Sequence, residues 1–225
     1  MHPAPSPRRS RAFTLIELLT VIAIIGILAS IIIPTVGKVR ASANKAKCAS
    51  NVRQLATACI NYANDAKSQL PRRGFAGSPH AYYPGDLKNL LPYLSNANRE
   101  DILFCPGPLK ERINPSNTNY GGATPNFDTY TYYVWDSLSA TIKTEWGITT
   151  TTMNKINQLP PRFPLWGCLT FTRGAENFGH SNPGNSQPID GQNTARADGS
   201  VLWRKGDELV TYGIADGNTY LGPRP

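Results

Sequence analysis

An α+β fold is what this 225-residue sequence predicts: a long N-terminal α-helix packed on a small antiparallel β-sheet domain with long loops. Three observations carry the prediction. Residues 13–33 form an apolar run with a single ionisable side chain, Glu17. Directly after Pro34 the pattern becomes amphipathic at helical spacing. Beyond Pro71, proline, glycine and asparagine separate short runs rich in β-branched and aromatic residues. The length suits one modest domain plus the extra helix. The predicted organisation is a leader over 1–12, a transmembrane or assembly helix over 13–33, its amphipathic continuation over 34–70, and a globular domain over 71–225.

The first element is justified by length. At about 1.5 Å per residue, residues 13–33 make a helix of roughly 32 Å, enough to cross a bilayer core of about 30 Å. Arg8, Arg9 and Arg11 precede it with no comparable cluster for several residues after Pro34. The N-terminus is therefore expected in the cytoplasm and the body outside. Ala23, Gly26, Ala29 and Ser30 supply small positions for close helix approach.

The continuation rests on Val36, Val39, Ala43, Ala46, Ala49, Val52, Leu55 or Ala56, Cys59 or Ile60, and Ala63, which recur every three or four residues with Lys38, Arg40, Lys45, Lys47 and Arg53 on other faces. Pro71 places the helix end near Gln69 or Leu70. Pro34, with Gly37 nearby, is the expected site of a bend or a locally unwound turn.

In the domain, Asp86 is expected to cap a brief helix reaching Tyr93. Residues 129–135, 165–172, 193–197 and 200–203 read as strands, and Asp198-Gly199 between the last two favours a hairpin turn.

Charge and cysteine usage bound the function. Removing Arg8, Arg9 and Arg11 with a leader lowers the net charge from +8 to +5, and the remaining cations are scattered or paired, as at Arg72-Arg73 and Arg204-Lys205. That pattern points away from nucleic-acid binding. Cys48, Cys59, Cys105 and Cys168 lack the close spacing of a zinc knuckle or redox pair, which points away from a thiolate metal site. Cys48 and Cys59 share a helix face but lie roughly 16 Å apart, so any disulfide joins the helix to the domain.

Glu17 is the most informative residue. A charge at membrane depth costs at least about 2.5 kcal/mol, so it needs a partner. A cut between Ala12 and Phe13 supplies one, because the new α-amine lies one helical turn away, in the same chain or in a neighbour. The run Phe13-Thr-Leu-Ile-Glu-Leu-Leu-Thr-Val-Ile-Ala-Ile-Ile-Gly-Ile-Leu-Ala resembles the cleavage and methylation motif of type IV pilins and type II secretion pseudopilins. The resemblance implies N-methylation of Phe13, an assembly role for Glu17, and a helix that loosens near Pro34 in a filament. It also implies an inner-membrane precursor, a prepilin peptidase, a homo-oligomeric filament with other pseudopilins, an inner-membrane platform and a cytoplasmic ATPase. Where the family usually has glycine before the cut, this chain has Ala12.

The rest of the chain is similar to a subgroup with a C-terminal histidine and aspartate-glycine signature. The similarity lies in Cys48-Ala-Ser-Asn-Val-Arg-Gln-Leu, Phe104-Cys105-Pro106 and Ala197-Asp198-Gly199-Ser200-Val201, although His180 stands further from Asp198 than in the subgroup. It implies a Cys48–Cys105 disulfide. It favours a secretion pseudopilin over a surface pilus subunit for adhesion, motility or DNA uptake.

Major pseudopilins often hold Ca2+ in a C-terminal loop, and Asp190, Asn193, Asp198, Asp216 and Asn218 offer oxygens, but turns explain the Asp-Gly pairs better than calcium does. A membrane-anchored hydrolase would need, for example, Cys105 or Ser181 with His180 and Asp190, but no nucleophile elbow or metal-binding helix motif is present. The expectation is a non-enzyme, with His180 in a polar loop. Tyr130, Tyr132, Tyr133, Trp135, Trp166 and Trp203 read as sheet packing rather than a ligand platform.

Overall fold

The computed structural model describes residues 14–71, 89–94, 102–107, 130–134, 140–149, 153–180, 183–215 and 217–225. The chain divides into two compact units, Met1–Arg40 and Ala41–Pro225.

The described part of the first unit is the start of helix α1 (Leu15–Asp65). Its large apolar side chains, from Leu15 through Ile33 to Val36 and Val39, are exposed. The helix runs unbroken through Pro34, so the expected unwound turn is not seen. Proline removes only one donor, the N–H that would have met the Ser30 carbonyl. Neighbouring hydroxyls turn inward: Ser30 Oγ donates to the Ile27 carbonyl at 2.7 Å and Thr35 Oγ1 to that of Ile31 at 2.9 Å.

In the second unit α1 buries Cys48, Asn51, Val52, Leu55, Ala56, Ala58, Cys59 and Ala63, one face at three- and four-residue spacing. Of the predicted stripe, Val36, Val39, Ala43 and Ala46 are exposed, and burial starts at Cys48. The helix ends at Asp65, short of the predicted 69–70. Lys67 and Ser68 take left-handed conformations (φ 53° and 67°), and the Ser68 amide donates to the Ala63 carbonyl at 2.7 Å. The chain then pairs with an extended segment: the Leu70 amide donates to the Asn154 carbonyl, and that of Ile156 to Ser68.

Among the described residues two antiparallel sheets follow. The first has the order β1-β2-β6-β7, with β1 Tyr130–Tyr132, β2 Pro164–Cys168, β6 Gly191–Arg196 and β7 Val201–Lys205. The second has the order β5-β4-β3-β9-β8, with β3 Phe171–Arg173, β4 Glu176–Phe178, β5 Pro183–Asn185, β8 Leu209–Ala215 and β9 Asn218–Pro223. A short helix α2 (Ala140–Glu145) lies between β1 and β2 in sequence. The single predicted run 165–172 is thus split between sheets. β6 and β7 form the predicted hairpin, with Gly199 at φ 80° in the turn. Thr129, Trp135 and the capping residue Asp86 lie outside the described residues; Leu91–Tyr93 is a 3₁₀ turn.

Buried aromatics join the layers. Tyr132 packs on Trp166 with ring centroids 4.8 Å apart, and the Trp166 indole N–H donates to Cys59 Sγ on α1 at 3.0 Å. The Tyr133 hydroxyl meets Gln192 Oε1 of β6 at 3.0 Å and the Leu221 carbonyl of β9 at 3.3 Å, linking the sheets. Trp146 Nε1 donates to Tyr212 Oη at 2.9 Å, and that hydroxyl to the Pro223 carbonyl at 2.8 Å.

Candidate functional site

Two places in the molecule carry more than packing. The first is the start of α1. Thr14 and Glu17 form a reciprocal cap: the Thr14 amide donates to Glu17 Oε2 at 2.9 Å, the Thr14 hydroxyl to the same oxygen at 2.8 Å, and the Glu17 amide to Thr14 Oγ1 at 3.3 Å. The sequence Thr-Leu-Ile-Glu is a capping box. In a membrane, where every backbone donor needs a partner, such a cap satisfies the Thr14 and Glu17 amides within the chain. Glu17 therefore has a local role in addition to the expected pairing with the Phe13 amine. Ala12 and Phe13 lie outside the described residues. From Leu15 to Val39 the helix presents apolar side chains all round, with Leu15 81% and Ile33 72% exposed. It is long and apolar enough to cross a membrane.

The second place was missed by sequence reasoning. Cys48 on α1, Cys105 in the segment 102–107, Cys168 at the end of β2 and His180 after β4 converge, with their ligand atoms all within 4.8 Å of one another. All four are buried. His180 Nδ1 lies 3.2 Å from Cys105 Sγ and 3.9 Å from Cys168 Sγ. The three thiols are not joined by disulfides. Cys48 and Cys105 are thus neighbours within a four-residue cluster, and His180 is 3% exposed rather than in a polar loop. The spacing argument against a thiolate site failed because the ligands come from four separate elements. Burial pushes the Cys48 and Cys168 thiols up, while hydrogen bonds from Cys168 and Cys48, helped by His180, pull Cys105 well down.

Several contacts hold this arrangement. Asn51 Nδ2 donates to the Phe104 carbonyl at 3.2 Å, fixing the Cys105 segment to α1. A Cβ on Gly107 would collide with the His180 carbonyl, so only glycine lets these backbones approach. Asn193 Nδ2 donates to the Lys45 carbonyl at 2.9 Å, holding β6 against α1 one turn before Cys48. The Lys45 ammonium sits 3.1 Å from the centroid of the Trp203 ring, whose plane meets His180 edge-on at 5.6 Å between centroids.

Residues 7–33 match the prokaryotic N-terminal methylation motif. No curated protein and no solved structure matches the chain. The motif supports a type IV pilin-like subunit, and the apolar helix that carries it fits a membrane-anchored protein. It points to a structural subunit rather than an enzyme. The long helix followed by a small two-sheet antiparallel domain is consistent with the pilin-like α+β fold.

The remaining sequence candidates are dispersed. Asp190 and Asp198 flank β6, and an extended strand of that length, at about 3.3 Å per residue, keeps them on the order of 20 Å apart. One calcium ion, bound at about 2.4 Å, cannot touch both. Asn193 is buried, with its amide engaged as described above. Asp198 Oδ1 accepts from the Ser200 amide at 2.9 Å, the hydrogen bond of a turn. Asp216 and Ser181 lie outside the described residues. Tyr130, Tyr132, Tyr133 and Trp166 are core residues.

Proposed function

We propose that this chain is a structural subunit of a type IV-like filament, and specifically a pseudopilin of a type II secretion system. The observation that carries the reading is that the methylation-motif segment coincides with an apolar helix whose large side chains are exposed among the described residues. Such a surface is stable only in lipid or against other helices. In this reading a prepilin peptidase cuts between Ala12 and Phe13 on the cytoplasmic side, Phe13 is N-methylated, and the domain stays outside the cytoplasm. Subunits then leave the bilayer as lipid contacts around residues 15–39 are exchanged for helix contacts. The small residues Ala23, Gly26, Ala29 and Ser30 permit close packing. Glu17 exchanges its Thr14 partners for the methylated amine of a neighbour, and α1 loosens at Pro34 on assembly. The similarity around Cys48, Cys105 and Asp198-Gly199 favours the secretion role over a surface pilus. The platform and ATPase are supplied by other chains.

The test is mass spectrometry of the N-terminal peptide from protein purified out of native membranes. A mature start at N-methylated Phe13 is expected, and an intact Met1 overturns the reading. Glu17→Ala is expected to be cleaved normally yet fail to polymerise; filaments at wild-type level from that variant would remove the assembly role of the carboxylate. Loss of secretion with surface fibres retained is the expected deletion phenotype, and the reverse would assign the chain to a pilus.

A further inference from the structure

We propose that Cys48, Cys105, Cys168 and His180 hold one zinc ion in a closed tetrahedral site that ties α1 to the first sheet and to the loops around it. The donor set is three sulfurs and one imidazole nitrogen, a set found in structural zinc sites. Tetrahedral zinc, with Zn–S about 2.3 Å and Zn–N about 2.0 Å, places S···N edges at about 3.6 Å and S···S edges at about 3.8 Å. The observed Nδ1 edges of 3.2 and 3.9 Å bracket the first value, and every ligand atom falls within 4.8 Å of the others. Little more than side-chain adjustment closes the cage.

Two other uses of these residues fit less well. A disulfide consumes two of the three sulfurs and leaves a buried thiol beside a buried imidazole with nothing to join. A Cys105–His180 nucleophile pair has hydrogen-bond geometry, but both residues are shut in, at 1% and 3% exposure, with two more thiols occupying the place of a substrate. Four protein ligands also leave no open position for water, which separates this site from a catalytic one.

The surroundings suit the charge of the filled site. Binding by three thiols and a neutral histidine, ligating through Nδ1, releases three protons and leaves a net charge of minus one on the zinc and its ligands. Asn193 donates its amide to the Lys45 carbonyl one turn before Cys48, and the Lys45 ammonium lies on the Trp203 ring, which meets His180 edge-on. Outer groups of this kind orient ligands and offset their charge.

The experiment uses the full chain, purified in detergent without chelators, and measures metal by inductively coupled plasma mass spectrometry. About one zinc per chain is expected, falling at least about tenfold in Cys168→Ser and unchanged in Cys59→Ser, since Cys59 lies outside the cluster. Because Cys168→Ser can fail to fold, Co2+ is exchanged into the wild-type chain as a second measurement. The thiolate charge-transfer and tetrahedral d–d bands of a Cys3His cobalt site are expected. A metal-free chain in which non-reducing peptide mapping finds a disulfide within the cluster overturns the proposal. So does a metal-free chain with three reduced thiols that gives no tetrahedral cobalt spectrum. Zinc content is read independently of Phe13 methylation, so this proposal and the filament reading fail separately.

Discussion

Leu55→Ala and Ile25→Ala change similar side chains on one continuous helix, and the structure predicts opposite outcomes for the folding of the second unit. Leu55 is fully buried, whereas Ile25 is 58% exposed. Truncating Leu55 deletes three heavy atoms worth about 0.8 kcal/mol each in transfer, and the incompletely collapsed cavity brings the loss to about 3–4 kcal/mol. Ile25→Ala trims an exposed side chain, so the second unit should change by less than about 0.5 kcal/mol. The assay is urea unfolding in mild detergent, followed by tryptophan fluorescence. Trp135, Trp146, Trp166 and Trp203 all belong to the second unit, so the signal reports that unit alone. With a urea slope of about 2 kcal/mol/M, Leu55→Ala should lower the midpoint by about 1.5 M or more. Equal shifts for both variants, or none for Leu55→Ala, would refute the division of α1 into an exposed half and a core half.

Three further substitutions or reactions test the interior. Tyr133→Phe should cost about 1–3 kcal/mol in urea unfolding, because Gln192 Oε1 and the Leu221 carbonyl both lose the hydroxyl that joins the sheets. Gly107→Ala should cost about 1–3 kcal/mol and loosen the Cys105 segment, read as faster alkylation of Cys105 in the metal-stripped chain; a wild-type midpoint and rate would contradict the close backbone approach. Cys59, pushed up to about 12 by burial against the opposing pull of the Trp166 indole N–H, should resist iodoacetamide near neutral pH until urea unfolds the chain. Peptide mapping after brief labelling checks this, and labelling of Cys59 in the native chain as fast as in the unfolded one would contradict its burial.

The parts of this molecule that were legible in the sequence are those whose signal is local. The apolar run before Pro34 and the Asp198-Gly199 turn depend on consecutive residues, and both appear where the pattern places them. Asp216-Gly217 offered the same hairpin signal between β8 and β9, with Gly217 at φ 73°, but the flanking runs were not read as strands. β6 was only partly legible because Gln192, Asn193 and Thr194 are polar yet buried. Gln192 accepts from Tyr133 and Asn193 donates to the Lys45 carbonyl, contacts that no alternation of polar and apolar residues announces. The Cys/His cluster is the extreme case. Cys105 and His180 meet across 75 residues, so no spacing rule reaches them, and the one usable hint was that Cys48 and Cys105 stand within stretches similar to the same subgroup.

The position of the cluster bears on the filament reading. Cys48 is the first buried residue along α1, so the cluster sits where the helix enters the domain core. Beyond it the buried face of α1 is built largely from small side chains, Ala56, Ala58, Cys59 and Ala63, with Val52 and Leu55 the larger members. Small residues bury little apolar area each, at about 25 cal/mol per Å2. Directional contacts carry a correspondingly larger share: the Trp166 indole on Cys59, the Asn193 amide on the Lys45 carbonyl, the Asn51 amide on Phe104, and the cluster itself. In the proposed filament, force carried along α1 reaches the domain at Lys45, which meets Asn193 and Trp203, and then at Cys48, the first buried residue. A cross-link there resists peeling where it would begin, since the helix cannot leave the sheet turn by turn until the ligands at its first buried turn have separated.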